Sequence, residues 1–246
     1  SVIAERAACL CQAAEKKIEK IREENPNAPL PYYVIGSEVP IPGGTQESHD
    51  TLEITRPEDC IATIESFRDA FSSLGLSRAW ERVIGAVVQP GVEFGDTDVF
   101  YYQSSKAKEL CGVLNSYPNL VFEGHSTDYQ TKECLREMVR DGIAILKVGP
   151  ALTFALRQGL FALECIEAEL YPDASQRSDF RKTLDRIMVE QPAYWKNYYS
   201  GDEETLRFKR AFSQSDRSRY YLNDPQVEKS IDTLLENLSR KDIPLT

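Results

Sequence analysis

The chain has 246 residues, of which 41% are hydrophobic and 28% charged, and this balance excludes a largely disordered protein. Its 29 Lys and Arg residues against 39 Asp and Glu residues give a net charge of −10. Broad binding to nucleic acid or to an anionic membrane is excluded, because there is no basic surplus to neutralise phosphates, whereas a small phosphorylated substrate needs only a local group of donors.

Helical and strand patterns alternate from the start of the chain. Apolar residues recur at three- and four-residue steps over residues 2–24, which predicts a helix that ends at Asn25-Pro26. The short run Tyr32–Ile35 is typical of a strand. Pro57 then opens a second predicted helix, because proline is favoured in the first helical turn.

Three uninterrupted apolar runs in the middle of the chain predict parallel strands that are buried on both faces: Val83–Val88, Leu120–Phe122 and Ile143–Leu146. Helical patterns separate these runs at Lys106–Asn115 and Lys132–Asp141. Four strands that alternate with helices indicate an α/β fold, either a (β/α) barrel or an open doubly wound sheet.

The rest of the chain is predicted to be helical. A broad apolar face over Leu152–Leu170 indicates one long helix, and amphipathic patterns follow at Phe180–Val189 and Val227–Leu238. No strand signal occurs after about Pro172. We therefore predict two parts, an α/β part over residues 1–171 and a helical C-terminal extension over residues 172–246 that packs on it.

The six cysteines are too dilute for a disulfide scaffold. Cys9 and Cys11 lie two residues apart on the first predicted helix, where they do not face each other, so a metal pair is not expected there. We predict free thiols and a reducing cytoplasm as the compartment. No stretch approaches the roughly 20 apolar residues that cross a bilayer.

Polar residues follow each of the four predicted strands. In α/β folds the functional site forms from the loops at the carboxyl ends of the strands. Glycine and proline in these loops are ordinary turn residues, but turns do not require ionisable side chains. The loops carry four such side chains: Glu38, Glu93, His125 and Lys147. We predict that they converge on one pocket.

His125 is one of only two histidines in the chain. A neutral imidazole at a strand end can bind a divalent metal or move a proton, although a single histidine can also be purely structural. Glu123 precedes it and Ser126–Asp128 follow it, so a neighbouring carboxylate could orient the ring. His49 lies in a polar loop and is predicted to be a solvated surface residue.

Lys147 ends an apolar strand, where an ammonium group is costly unless it meets a carboxylate or a phosphate. Ser126, Thr127 and the backbone around Gly149 could donate hydrogen bonds to the same phosphate. Lys147 could instead be a Schiff-base nucleophile or a salt-bridged strand end. The sequence contains no Walker-type, kinase-like or Rossmann glycine loop.

Several long strings resemble the GatZ/KbaZ family, the non-catalytic subunits of class II D-tagatose-1,6-bisphosphate aldolase. Four lie at the strand ends: YVIGSEVPIPGG over residues 33–44, VQPGVEF over 88–94, GHSTDYQ over 124–130 and ILKVGPALTFALR over 145–157. Three more lie in the tail: QPAYWK over residues 191–196, SDRSRYY over 215–221 and DIPL over 242–245. The chain departs from the family at Gln158-Gly159, where an acidic residue and Ala are typical. Ser37 stands where Thr is usual.

This resemblance covers essentially the whole chain and implies a TIM-type barrel like that of class II aldolases. Residues 1–24 would be the helix after strand four, and the predicted strands would be strands five to eight. The chain has no initiator Met. We therefore expect it to be the second half of a barrel protein whose first four strands are absent here.

The resemblance also implies a divalent metal, with zinc the expected ion. His125 matches the second metal ligand, at the end of strand seven, whereas the ligand expected after strand three is absent from this chain. The carboxylates available for catalysis are Glu38, Glu93 and Asp128. The residues predicted to bind substrate and phosphate are Gln89, Ser126, Thr127, Lys147, Gly149 and Thr153.

Family members have been assigned three activities. The first is an accessory subunit that stabilises the separate catalytic aldolase subunit in galactitol or N-acetylgalactosamine catabolism, and we expect this role, in an oligomer that handles phosphorylated ketohexoses. The alternative is a metal-dependent D-tagatose 6-phosphate 4-epimerase. The third, a tagatose 6-phosphate kinase, is rejected because no nucleotide-binding signature is present.

Overall fold

Four parallel strands form the main sheet of the protein: β1 (Tyr33–Ile35), β2 (Val83–Val88), β5 (Val121–Gly124) and β6 (Ile143–Leu146). The structure, a computed structural model, describes residues 1–36 and 52–241. The strands lie in the order β1-β2-β5-β6, so neighbours in the sheet follow one another along the chain. The predicted α/β class is confirmed, and each strand boundary lies within two residues of its prediction.

Two shorter strands, β3 (Glu93–Phe94) and β4 (Val99–Phe100), form a second sheet. Gly95 N donates to Asp98 O at 2.8 Å in the turn between them. The sequence pattern did not predict these strands, because two residues are too few to show the alternation of a strand.

The described residues form two compact units. Unit one comprises residues 1–36, 52–93 and 99–147, and it contains the parallel sheet. Unit two comprises residues 94–98 and 148–241, and it is mainly helical. The division into domains at residue 171 stays a prediction.

The α-helices described in unit one are α1 (Val2–Glu24), α2 (Pro57–Ser73), α3 (Ser77–Trp80), α4 (Ser104–Gly112) and α5 (Lys132–Arg140). Side-chain caps fix two of their starts. Ser1 Oγ accepts from Ala4 N at 3.3 Å, and Thr131 Oγ1 accepts from Cys134 N at 3.1 Å. The core of the unit contains Phe71 of α2, which meets Trp80 edge to face at 5.5 Å between ring centres.

The α-helices described in unit two are α6 (Pro150–Leu170), α7 (Phe180–Glu190), α8 (Glu203–Phe212) and α9 (Pro225–Ser239). Helix α6 packs against α7 and α9. The buried residues of this core include Leu160, Phe180, Leu184, Ile187 and Leu234. As predicted, no strand occurs among described residues after Leu170.

Helix α8 was not predicted from the sequence. Its fully buried residue is Arg210, whereas its Phe208 is 61% exposed, so a charged side chain is buried where an aromatic one faces solvent. The signal that could have found it is the cap: Asp202 Oδ1 accepts from Thr205 N at 2.9 Å.

None of the helices within the described ranges is long and apolar enough to cross a membrane. All six cysteines lie in those ranges and are free thiols, as predicted.

A buried ion pair organises the beginning of α6 in unit two. Arg157 is completely buried, and its Nε donates to Asp216 Oδ1 at 3.1 Å. Asp216 also accepts from Thr153 Oγ1 at 2.5 Å and from Ser218 Oγ at 2.6 Å. The Arg157 guanidinium lies 4.7 Å from the centre of the Phe154 ring. Because both Nη atoms of Arg157 lack a hydrogen-bond partner, the pair with Asp216 is what neutralises its charge.

We expect Asp216→Ala to lower the free energy of unfolding of unit two by about 3–5 kcal/mol, because it leaves the Arg157 charge buried without a partner. The double variant Arg157→Met/Asp216→Ala should lose less, since no unpaired charge remains. Urea unfolding followed by Trp195 fluorescence in a Trp80→Phe background measures both, because Trp195 lies in the core of unit two. A loss of about 1 kcal/mol or less for Asp216→Ala, as for a solvated pair, would contradict this account.

Candidate functional site

The carboxyl ends of the parallel strands lie at one edge of the sheet in unit one. The register pairs Val88 with Gly124, and Gly124 with Leu146, so the residues that follow β5 and β6 emerge side by side. Lys147 N donates to Gly124 O at 3.0 Å, which extends the ladder one residue beyond β6. His125 and Lys147 are therefore positioned by the sheet itself.

A buried carboxylate connects these two residues. Glu123 Oε1 lies 2.8 Å from His125 Nε2 and 3.6 Å from Lys147 Nζ. Glu123 and His125 are two residues apart at the end of a strand, which brings their side chains to the same face. The Glu123 side chain is 8% exposed, that of His125 24% and that of Lys147 56%. The cluster thus presents an ammonium group and an imidazole to solvent above a shielded acid.

The loop after β5 is tied to the end of β6. Thr127 N and Thr127 Oγ1 both donate to Lys147 O, at 3.2 and 2.9 Å. Ser126 and Tyr129 have φ angles of 52° and 60°, in the left-handed region, so the chain turns sharply at both. In this structure Thr127 is buried and its hydroxyl fixes the loop, whereas Ser126 is partly exposed.

Gln89 shapes the loop after β2. Its Oε1 accepts from Gly91 N at 2.9 Å and from Val92 N at 3.0 Å. Gly91 has a φ of 89°, which a residue with a side chain rarely adopts. Gln89 N donates to Thr55 Oγ1 at 2.8 Å. The loop is therefore also held by the residues that precede α2. These hydrogen bonds of Gln89 all join residues of unit one.

The three predicted catalytic carboxylates have different surroundings. Glu93 and Asp128 are buried, with 6% and 2% exposure. Glu38 lies outside the described residues, as does His49. The acid that the structure brings to His125 is instead Glu123. The sequence pointed to Glu123 through its position directly after the apolar run Leu120–Phe122, because a carboxylate there is costly to bury without a partner.

The two remaining predicted ligand residues belong to unit two. Gly149 directly precedes α6, and Thr153 lies in the first turn of that helix. The Thr153 hydroxyl donates to Asp216 and is also 3.1 Å from Pro150 O. It is therefore part of the buried network around Arg157.

A complete metal site is not formed by this chain's described residues. They contain no group of three His, Cys, Asp or Glu side chains that could hold a metal ion. His125 and Glu123 supply two donors, whereas zinc is held by three or four protein ligands.

Two comparisons with known proteins agree with the resemblance seen in the sequence. The family model described as D-tagatose-1,6-bisphosphate aldolase subunit GatZ/KbaZ-like matches residues 1–246. A crystal structure described as a probable tagatose 6 phosphate kinase from Sinorhizobium meliloti 1021 is 44% identical in sequence, with a TM-score of 0.84. The match covers 98% of this chain and 56% of that one, so this chain spans just over half of its length. The chain belongs to the D-tagatose-1,6-bisphosphate aldolase subunit GatZ/KbaZ-like family.

Proposed function

We propose that this chain is part of an accessory, non-catalytic subunit of class II D-tagatose-1,6-bisphosphate aldolase. The observation that carries the proposal is the family match over all 246 residues. The subunit would stabilise a separate catalytic subunit and act in galactitol or N-acetylgalactosamine catabolism. Its ligand would be a phosphorylated ketohexose.

The order of the strands supports the proposal that the sheet is a segment of a (β/α)8 barrel, with β1, β2, β5 and β6 as strands five to eight. In a doubly wound sheet the strand order reverses at a switch point, whereas here it runs in one direction. Helix α1 also exposes apolar side chains, with Val2 61% and Leu10 73% exposed. In the full barrel such residues would be covered by further elements.

Lys147 is the group best placed to bind the sugar phosphate. Its side chain is more than half exposed, and the nearest described carboxylate, Glu123, is 3.6 Å away, which is beyond a close hydrogen bond. A phosphate oxygen could therefore approach Nζ directly. Ser126 lies in the loop after β5, next to His125, and in this proposal its backbone N–H and its hydroxyl are further donors to the phosphate.

The accessory role predicts that the full-length protein raises the activity of the catalytic subunit. We expect D-tagatose 1,6-bisphosphate cleavage to increase and the Tm of the catalytic subunit to rise when the two proteins are mixed, because a partner that binds only the folded state stabilises it. A coupled assay and thermal unfolding measure the two effects. No change in either quantity at saturating accessory protein would contradict the accessory role.

A second candidate is a D-tagatose 6-phosphate 4-epimerase. The Glu123–His125–Lys147 cluster favours it, because a purely stabilising subunit has no need of an imidazole paired with a shielded acid at the strand ends. Because the Glu123 carboxylate accepts the hydrogen bond from His125 Nε2, the other ring nitrogen, Nδ1, could hold or accept a proton. In this proposal His125 also contributes one ligand to a divalent metal, with zinc the expected ion and the other ligands supplied from outside this chain.

The epimerase candidate predicts that the full-length protein alone, supplied with Zn²⁺ or Mn²⁺, converts D-tagatose 6-phosphate to D-fructose 6-phosphate. We expect His125→Ala to abolish conversion and to lower the metal content measured by mass spectrometry, because one ligand is lost. Glu123→Gln should keep the fold but reduce turnover. If the wild-type protein shows no conversion alone, the epimerase candidate is wrong.

For the phosphate site, we expect Lys147→Met to weaken binding of D-tagatose 6-phosphate to the full-length protein by roughly 10- to 100-fold, the usual range for a lost charged hydrogen bond. Lys132→Met is the matched control, because Lys132 is an exposed lysine at the start of α5. Isothermal titration calorimetry gives both Kd values. Equal affinities for the two variants would show that Lys147 does not hold the phosphate.

A further inference from the structure

The side-chain amide of Gln130 joins two segments of unit one. Its Oε1 accepts from Tyr102 N at 2.9 Å, and its Nε2 donates to Phe100 O at 2.9 Å. Gln130 is buried in the loop that follows β5, whereas Phe100 ends β4 and Tyr102 lies just before α4. Glutamine suits this position because its side chain carries a donor and an acceptor at the same time.

Tyr102 gives the Gln130 amide a fixed point of attachment. Its side chain is buried, and its hydroxyl donates to Asp141 Oδ2 at 3.0 Å, at the end of α5. Burial raises the pKa of Tyr102, so the hydroxyl keeps the proton that it donates. Cys134 Sγ, in the first turn of α5, lies 3.8 Å from Tyr102 O. Tyr102 is therefore held from both ends of α5, independently of Gln130.

The loop that Gln130 ends is the one that carries His125 and Ser126. Thr127 attaches this loop to Lys147 O through its N–H and its hydroxyl. Because both of these bonds end on one oxygen atom, they do not by themselves fix the orientation of the loop. Gln130 supplies a second attachment three residues further on.

The backbone between the two attachments is strained. Tyr129 has a φ of 60°, in the left-handed region that a residue with a side chain rarely adopts. Such conformations persist where the surrounding structure fixes them. The hydrogen bonds of Thr127 and Gln130, on either side of Tyr129, provide this support.

We infer that Gln130 is a positioning residue for the strand-end ligand site, an inference that rests on the proposed function. By holding the end of the loop, Gln130 sets the place of the Ser126 N–H and hydroxyl, the proposed donors to the phosphate. It does not bind the ligand itself, because its side chain is buried and both ends of its amide are engaged. Donors that are already in place bind more tightly, since less ordering accompanies binding.

The test compares Gln130→Met with the wild type in the full-length protein, because methionine is similar in length but lacks the amide. We expect the Kd for D-tagatose 6-phosphate, measured by isothermal titration calorimetry, to rise roughly three- to tenfold, the range for one hydrogen bond lost from the ligand. Gln103→Met is the matched control, because Gln103 is exposed and its side chain does not cap α4. We expect its Kd to equal that of the wild type.

Hydrogen exchange of the ligand-free protein separates positioning from a merely local structural role. We expect Gln130→Met to speed exchange at Tyr102, whose acceptor is removed, and also over residues 125–131, where Thr127 N–H is bonded to Lys147 O. Circular dichroism and thermal unfolding show whether the variant is folded. If it is not, Gln130→Glu decides by the same two measurements, because it keeps the acceptor for Tyr102 N and loses only the donor to Phe100 O.

The outcomes separate this inference from the proposed function. If the wild type binds D-tagatose 6-phosphate and Gln130→Met binds it equally well, the positioning role is wrong and the proposed function stands. If the Kd rises while exchange over residues 125–131 stays at the wild-type rate, the effect does not pass through the loop and the inference is also wrong. If the wild type does not bind the sugar phosphate, the proposed phosphate site and the inference are both wrong.

Discussion

The buried carboxylate of Glu123 is the interaction on which the strand-end cluster depends. It lies on β5 with little exposure and meets His125 of its own segment and Lys147 of the neighbouring one. A carboxylate at such a position is costly unless its charge is compensated. Because the backbone ladder continues to Lys147, the sheet register sets the separation of all three groups. The cluster is thus built on the parallel sheet of unit one.

Unit two also buries charged side chains, in this case two arginines. Arg157 and Arg210 are both buried; Arg157 is paired with Asp216, and Arg210 is paired with Asp185 and Glu203. Hydrogen bonds from Arg157 and Thr153 hold Asp216 against the first turns of α6, and Ser218 donates to the same carboxylate. A polar network, rather than apolar packing, therefore joins these two segments. Around Arg210, the same helices leave an aromatic surface exposed at Phe208. Charge and apolar area lie side by side there, as at many protein interfaces.

The sequence predicted the parts of this fold that are governed by hydrophobic periodicity. The continuous run Val83–Val88 and the apolar face of α6 are examples, and both were found with nearly the predicted bounds. Helix α8 was not predicted, because it buries the charged Arg210 and exposes the aromatic Phe208. The sequence predicted that the residues after the strands lie together, and in the structure Glu123 connects His125 with Lys147. Their functional roles stay predictions.

Sequence alone could not identify the partner of His125 among several nearby acids. Glu93 and Asp128 were plausible because both follow predicted strands in the sequence, yet the acid hydrogen-bonded to His125 is Glu123. Whether an acid faces a histidine depends on the side chain's face of the strand and on the register with the next strand. For Glu123, the two-residue spacing along the chain brings it to the face of His125, and the β5–β6 register brings it to Lys147.

In the proposed function, Glu123 couples His125 and Lys147 in one ligand site. A double-mutant cycle on the full-length protein tests it most directly, with Glu123→Gln and Lys147→Met alone and together, and with the free energy of binding D-tagatose 6-phosphate as the readout. The account predicts a coupling energy of about 0.5–3 kcal/mol between the two substitutions, as for groups in one network. Strictly additive effects would contradict it.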